Sequence, residues 1–213
     1  MTKLPLAFAL SLSGFLFLTP TSAQTLTFAG GPCVDPLTNN NGVCDVAGEE
    51  IDPAHGDAAG LIDVVYDGGG GANMFFWTNG YSGLTGVAYG QPGLGSAEIS
   101  LIPEPGKVVS LDKFDVGSAT TSFAIQINAS VIDIGSGSTL FSGISVPVNA
   151  FTSAHSFAGL GLSSADGLTI RFDRFDTFAG IDNITFSVTD IPEPSAALLL
   201  LTGLAAVGHR ARR

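Results

Sequence analysis

The sequence predicts an all-β fold, an antiparallel two-sheet β-sandwich of jelly-roll type, with an N-terminal signal helix and a C-terminal hydrophobic helix outside it. Three observations lead there. Of the 28 glycines, all but Gly14, Gly203 and Gly208 fall between residues 24 and 190, a density that suits tight turns. Between them run short stretches of β-branched and aromatic residues, the composition of strands. No stretch of that body sustains apolar residues at spacings of three and four over several turns, so no long helix is expected there.

The strands are read in order as TLTFA at 25–29, LIDVVYD at 61–67, NMFFWT at 73–78, TGVAY at 85–89 and AEISLI at 97–102. KVVSLDKFDV at 107–116, TSFAIQINASVIDI at 121–134, TLFSGISVPV at 139–148, LTIRFDRF at 168–175 and GIDNITFSV at 180–188 follow. In LTIRFDRF, Leu168, Ile170, Phe172 and Arg174 share one face while Thr169, Arg171, Asp173 and Phe175 share the other, a largely apolar-in, polar-out alternation. In GIDNITFSV, Ile184, Phe186 and Val188 are expected to face the core, which places Asp182 at the head of an apolar row. The segment 35–57, DPLTNNNGVCDVAGEEIDPAHGD, reads as a long acidic loop that needs the disulfide or a metal ion to hold it.

Lys3, an apolar stretch from Leu4 to Leu18, Pro20 and the small residues Thr21 and Ala23 form a secretory signal peptide over residues 1–23, with signal peptidase expected to cut after Ala23. The competing reading, an uncleaved anchor, is disfavoured by the short apolar stretch. Between residues 24 and 190, 18 carboxylates face only Lys107, Lys113, Arg171 and Arg174, a net charge of −14. Such a body lacks the basic footprint that phosphate binding requires, so nucleic acid is excluded as a partner. Cys33 and Cys44 are the two cysteines, and in an exported chain they predict a disulfide. Two thiolates with His55 as the one nearby histidine make a poor zinc site.

The C-terminal stretch IPEPSAALLLLTGLAAVGHRARR joins Pro192, Glu193 and Pro194 to an uncharged run from Ser195 to Gly208 and then to Arg210, Arg212 and Arg213. That run is shorter than the roughly 20 residues of an ordinary spanning helix. Arginines just beyond an apolar run hold that end in the cytoplasm, a topology consistent with an exported N-terminus and a transient association with the inner membrane. In these three parts, in this order at the end of the chain, the segment 189–213 resembles the PEP-CTERM sorting signal of Gram-negative bacteria. The resemblance implies processing by exosortase, a membrane-embedded enzyme that cuts at or near the motif. It also implies delivery to the cell surface or the extracellular matrix, where such proteins accompany exopolysaccharide and biofilm. Residues 102–105 also read IPEP, but Gly106 and Lys107 follow, and this copy is expected to be a strand-ending turn.

The body, taken as a β-sandwich ectodomain over residues 24–188, is similar to other PEP-CTERM ectodomains in VSLDKFDVG and AGIDNITFSV. That likeness implies a sandwich in which an aspartate of the last strand helps bind structural calcium, making Asp182 a ligand candidate; from the acidic loop Asp45, Glu49, Glu50, Asp52 and Asp57 could supply further oxygens. Calcium needs about six to eight oxygen ligands, and no EF-hand spacing is present to supply them. A merely solvated acidic loop is the competing reading.

NMFFWTNGY carries Trp77 and Tyr81 with Asn73 and Asn79, residue types that stack on and hydrogen-bond to sugars; the same rings can equally be sandwich core. For catalysis the body has His55 and His155 but no nucleophile elbow, zinc helix or phosphate loop, and GGGG at 68–71 lacks the following Lys-Ser/Thr. Asp173 and Asp176 are better explained as an acidic strand edge than as a glycosidase pair. The expectation is therefore a non-enzymatic, exported protein with a structural or adhesive role in exopolysaccharide. A carbohydrate-binding module or glycan-active enzyme of the matrix is the alternative.

Overall fold

The computed structural model describes residues 23–34, 42–91, 93, 95–173 and 179–191. The expected signal peptide up to residue 22, both terminal helices, the Pro192-Glu193-Pro194 motif, the terminal arginines, Arg174, Phe175 and Asp176 lie outside them. The described residues form thirteen strands and no helix. These are β1 (Ala23–Leu26), β2 (Cys33–Val34), β3 (Glu50–Ile51), β4 (Ile62–Asp67), β5 (Phe75–Trp77), β6 (Val87–Tyr89) and β7 (Ala97–Pro103). They continue as β8 (Lys107–Ser118), β9 (Asn128–Asp133), β10 (Thr139–Ile144), β11 (His155–Ser164), β12 (Leu168–Phe172) and β13 (Ala179–Asp190).

Two antiparallel sheets pack face to face. The 8-stranded sheet runs β11-β8-β13-β6-β5-β3-β2, with β1 also paired to β13, and the 5-stranded sheet runs β10-β9-β12-β7-β4. From β7 onward the chain passes repeatedly from one sheet to the other, so each sheet's inner face is built from segments far apart in sequence. Ile99 and Leu101, Leu168, Ile170 and Phe172, and Val131 from the smaller sheet are fully buried. They meet Val109, Leu111, Phe114 and Val116 of β8 and Ile181, Ile184 and Phe186 of β13. Burial of a large apolar side chain of this kind stabilises by about 1.5–3 kcal/mol each, which is why this stripe defines the fold.

In β12 Leu168, Ile170 and Phe172 are buried and Arg171 is exposed and ion-paired to Glu98 across the β7 ladder at 2.7 Å, but Thr169 is buried as well, its hydroxyl paired with that of Ser100 at 2.8 Å. β13 departs from strict alternation. Asn183 takes a positive φ of 52° and the register against β8 shifts between Asp182 and Thr185, so Ile181 on one side of the bulge and Ile184 on the other both reach the core. The same bulge shortens β1 relative to the expected 25–29, because Phe28 directs its N–H to the Asp182 carboxylate at 3.3 Å instead of to a ladder carbonyl.

Three further differences have physical causes. The expected 121–134 strand narrows to β9, because the Ile127 N–H is taken by the Ser145 hydroxyl at 2.9 Å and the ladder is broken there. β11 was not expected. Its sequence HSFAGLGLSS contains Gly159 and Gly161 at positive φ, and the register shift between Ala158 and Leu162 hides its two-residue period. The acidic segment 35–57, expected to be a loop, contributes β3, whose Ile51 is buried in the core. The internal IPEP is the expected turn: Pro105 and Gly106, the latter at φ 84°, join β7 to β8, and Lys107 N–H donates to the Glu104 carbonyl at 3.1 Å. The sandwich extends slightly beyond the expected residue 188, since Asp190 pairs with Lys107 and Ile191 N–H donates to the Gly106 carbonyl.

Candidate functional site

Residues directly opposite one another on antiparallel strands point to the same side of a sheet. Phe76 of β5, Ala88 of β6 and Ile181 of β13 are mutual partners and lie in the core, so their chain neighbours Phe75, Trp77 and Tyr89 stand on the outer face of the larger sheet. There the rings make a continuous surface. Phe75 and Tyr89 have centroids 5.9 Å apart, and Trp77 meets Tyr89 edge-on at 5.9 Å. Trp77 is 38% exposed, whereas Phe75 and Tyr89 are half-buried. Burial also raises the Tyr89 phenol above its ordinary pKa, so it presents a neutral hydroxyl.

Tyr81, expected beside Trp77 as a ligand contact, is instead a buried support at 2% exposure. Its loop drops into a recess that two glycines leave on the sheet. A Cβ on Gly180 would lie 2.9 Å from the Tyr81 ring, and one on Gly117 would lie 2.8 Å from its carbonyl. On the same face, Tyr81 packs beside both Trp77 and Tyr89, with ring centroids 6.3 and 6.5 Å away. Next to it, Ser82 at φ 53° accepts the Ser118 N–H and donates to the Asn149 carbonyl, each at 2.9 Å, which anchors the loop. The exposed ring of the sequence motif is thus Trp77 alone, and Tyr89 takes the place expected of Tyr81. The signal for Tyr89 was its register opposite Phe75, which sequence separation conceals.

The polar rim of this surface comes from β3. Glu50 is the ladder partner of Phe75, on the same face, and its carboxylate accepts from the Asn73 side-chain amide. An exposed indole flanked by half-buried rings, beside a carboxylate and an amide, can stack on the apolar face of a pyranose and hydrogen-bond its hydroxyls.

The residues expected to share a calcium ion do not meet. Two strands, β6 and β5, separate β13 with Asp182 from β3 with Glu50. Glu49 is buried and accepts the N–H groups of Asp45 and Val46 at 2.8 and 2.9 Å, closing its own turn. Among the described residues no group of three or more His, Cys, Asp or Glu side chains is arranged to hold a metal. The Cys33–Cys44 disulfide is formed, with the Cα atoms 4.9 Å apart. His55 is buried against Phe28 and Tyr66; desolvation lowers its pKa, and its Nε2–H donates to the Thr27 carbonyl at 3.0 Å. It is a core residue, not a base facing solvent.

Asp182 instead lies opposite Asp115 on the β8–β13 ladder. The Asp115 Oδ2 accepts from Asn183 Nδ2 at 3.0 Å and pairs with Lys113 Nζ at 3.2 Å, while Oδ1 is buried without a hydrogen-bond partner among the described residues. Desolvation, with the neighbouring Asp115 charge adding to it, raises the Asp182 pKa from 3.8 to about 6. At 8% and 3% exposure these two carboxylates are closed off from any substrate. A separate open cleft of about 500 Å³ between the Ser82–Leu84 turn and Ala150–Ala154 is lined by no titratable side chain.

No protein-family model matches the chain, and no curated protein matches it. Among solved structures, the chain is similar to the enzymatically active domain of tailspike protein 4 of bacteriophage CBA120, at 15% identity and a TM-score of 0.25, over 62% of this chain and 18% of that one. It therefore spans under a fifth of that protein's length. A second similar structure is the family 11 carbohydrate-binding module of Clostridium thermocellum in complex with a mixed-linked β-1,3-1,4 tetrasaccharide. It is 11% identical with a TM-score of 0.25, over 67% of this chain and 96% of that one.

Proposed function

We propose that the protein is an exported surface or extracellular-matrix component whose sandwich contacts polysaccharide through the outer face of its larger sheet. The observation that carries this reading is the Phe75, Trp77 and Tyr89 surface, braced at its side by Tyr81 and rimmed by Glu50 and Asn73. Large aromatic rings on a solvent-facing sheet surface are costly unless they meet a partner, and their flat faces match sugar rings better than a protein edge. Binding is the activity we assign to this surface, whose polar rim is the Glu50 carboxylate and the Asn73 amide. Adhesion within exopolysaccharide follows from such contacts. Trp77→Ala is expected to weaken binding to a soluble exopolysaccharide or β-glucan, measured by affinity electrophoresis, by about tenfold while leaving the disulfide and the fold intact. Equal retardation of both proteins would overturn the reading.

Delivery rests on the likeness of the C-terminal segment to an exosortase sorting signal, together with the N-terminal signal peptide. The sandwich runs to Ile191 with no intervening linker, so a cut at or near Pro192-Glu193-Pro194 would release the whole folded body and little else. Intact mass of the protein from culture medium is expected to lack residues 1–23 and the arginine tail. A secreted form that still ends in Arg213 would remove the processing claim.

A further inference from the structure

The smaller sheet ends in two edge strands, β4 and β10, which the protein treats differently. At β4 the outward-facing Val64 N–H donates to Asp57 Oδ1 at 2.7 Å, Ala58 bridges to Ile62, and Asp63 and Asp67 place charge along the strand. These are the usual devices by which an edge is closed to other chains. Along β10, sequence TLFSGI, no charge is present. Its only ladder is with β9, and among the described residues nothing bonds to its outer edge.

The surroundings of β10 are as neutral as the strand. From Val116 to Ala165 the single Asp, Glu, Lys or Arg is Asp133, in a body that otherwise carries a large negative charge. The Asp133 carboxylate is already taken by Ser136 and Ser164. Six exposed large apolar side chains, Phe123, Ile134, Leu140, Ile144, Val146 and Phe151, lie within the same stretch. Two copies of this protein repel over most of their surfaces, and this is the side on which they can approach without bringing like charges together.

The order of residues on β10 also suits a second copy. Leu140, Ser142 and Ile144 are exposed, Leu140 at 41% and Ile144 at 61%, while Phe141 turns inward onto Phe157 with rings 5.5 Å apart. β10 carries a bulge at Leu140, between Thr139 and Phe141, so its regular edge is Phe141 to Ile144; if two such edges pair antiparallel about Ser142, the exposed Ile144 of each copy comes to lie beside the bulged Leu140 of the other. On the inner face Phe141 then stands opposite Gly143, over which the Phe141 and Phe157 rings of the same copy already lie, 2.6 and 2.8 Å from where a Cβ would stand. We propose that β10 is an association edge that pairs with β10 of a second copy in this register, joining the two smaller sheets into one. It is independent of sugar recognition, which uses the outer face of the other sheet.

The full-length mature protein, purified from medium, is expected to sediment as a concentration-dependent dimer. Ile144→Lys places a charge at a solvent-exposed position and is expected to weaken the dimer by about tenfold or more with an unchanged circular dichroism spectrum. Ser142→Cys is expected to give an oxidised, disulfide-linked dimer under mild oxidant, since facing residues of an antiparallel pair lie within disulfide reach. Val65→Cys, exposed on β4, is expected not to do so. A monomer at every concentration would overturn the proposal. So would a dimer that survives Ile144→Lys and fails to cross-link through residue 142.

Discussion

Between Glu49 and Asp67 four of the six carboxylates face backbone donors: Glu49 takes two N–H groups of its own turn, Asp52 that of Ala54, Asp57 that of Val64, and Asp67 those of Gly69 and Gly71, while Glu50 accepts from the Asn73 side chain and Asp63 lies beside Asp57. On the β8–β13 ladder Asp115 and Asp182 face each other, with one oxygen of the pair left without a donor. Identical chemistry has opposite consequences in the two places. In the first, ionised oxygens replace the water that turn N–H groups would lose, so negative charge organises the chain. In the second, charge is buried beside like charge, and the fold holds the pair at a cost that Lys113, Asn183 and the Phe28 N–H only partly offset. At Glu49, Asp52, Asp57 and Asp67 acidity therefore acts as a local scaffold.

The largest test of this contrast removes the disulfide that shares the work of the first region. Cys33→Ala with Cys44→Ala is expected to lower stability by about 3 kcal/mol in urea unfolding, from loop-closure entropy, while β3 keeps its ladder to β5. Loss of the whole tertiary structure would mean that the carboxylate turns hold nothing by themselves. Next in size is Asp182→Asn. Because the folded pKa of about 6 lies above 3.8, the folded state holds the proton more firmly than the unfolded chain. Stability thus falls as pH rises from about 4 to about 6 and stays lower above that. The Asn variant is expected to lose this decline, gaining about 2 kcal/mol at pH 7 and nothing at pH 3. A wild-type unfolding midpoint that rises between pH 4 and 6 through this residue would reverse the assignment. Smallest is Asp57→Ala, which leaves the Val64 N–H without its acceptor and is expected to destabilise by about 1 kcal/mol at pH 7. The opposite signs of these last two substitutions are the sharpest form of the comparison.

Much of the sandwich was legible because its signals are local. The apolar face of β12, the Pro105-Gly106 turn and the placement of Phe75 and Trp77 on one face all follow from periods and turn chemistry within a few residues. β11 escaped notice because two glycines at positive φ break its period. The bulge at Asn183 was equally invisible, since any strand containing Ile181 and Ile184 reads as misphased until an extra residue is inserted. At the candidate site, Trp77 was identified from its motif, but Tyr81 and Tyr89 exchanged roles. Nothing in GYSG says that Gly117 and Gly180 leave room above the sheet for a tyrosine to be buried.

By itself the sequence determined the class of fold, the Cys33–Cys44 staple, the turns and the strongly uneven distribution of charge, because each depends on residue type and spacing along the chain. Tertiary structure decided which rings remain in solvent, that Asp115 and Asp182 confront one another, and that the uncharged β10 ends a sheet whose other edge is closed. Those properties belong to pairs of distant segments. Burial, desolvation and edge position arise when strands are laid side by side, and the order in which β13 came to lie between β8 and β6 is written in no single stretch of residues.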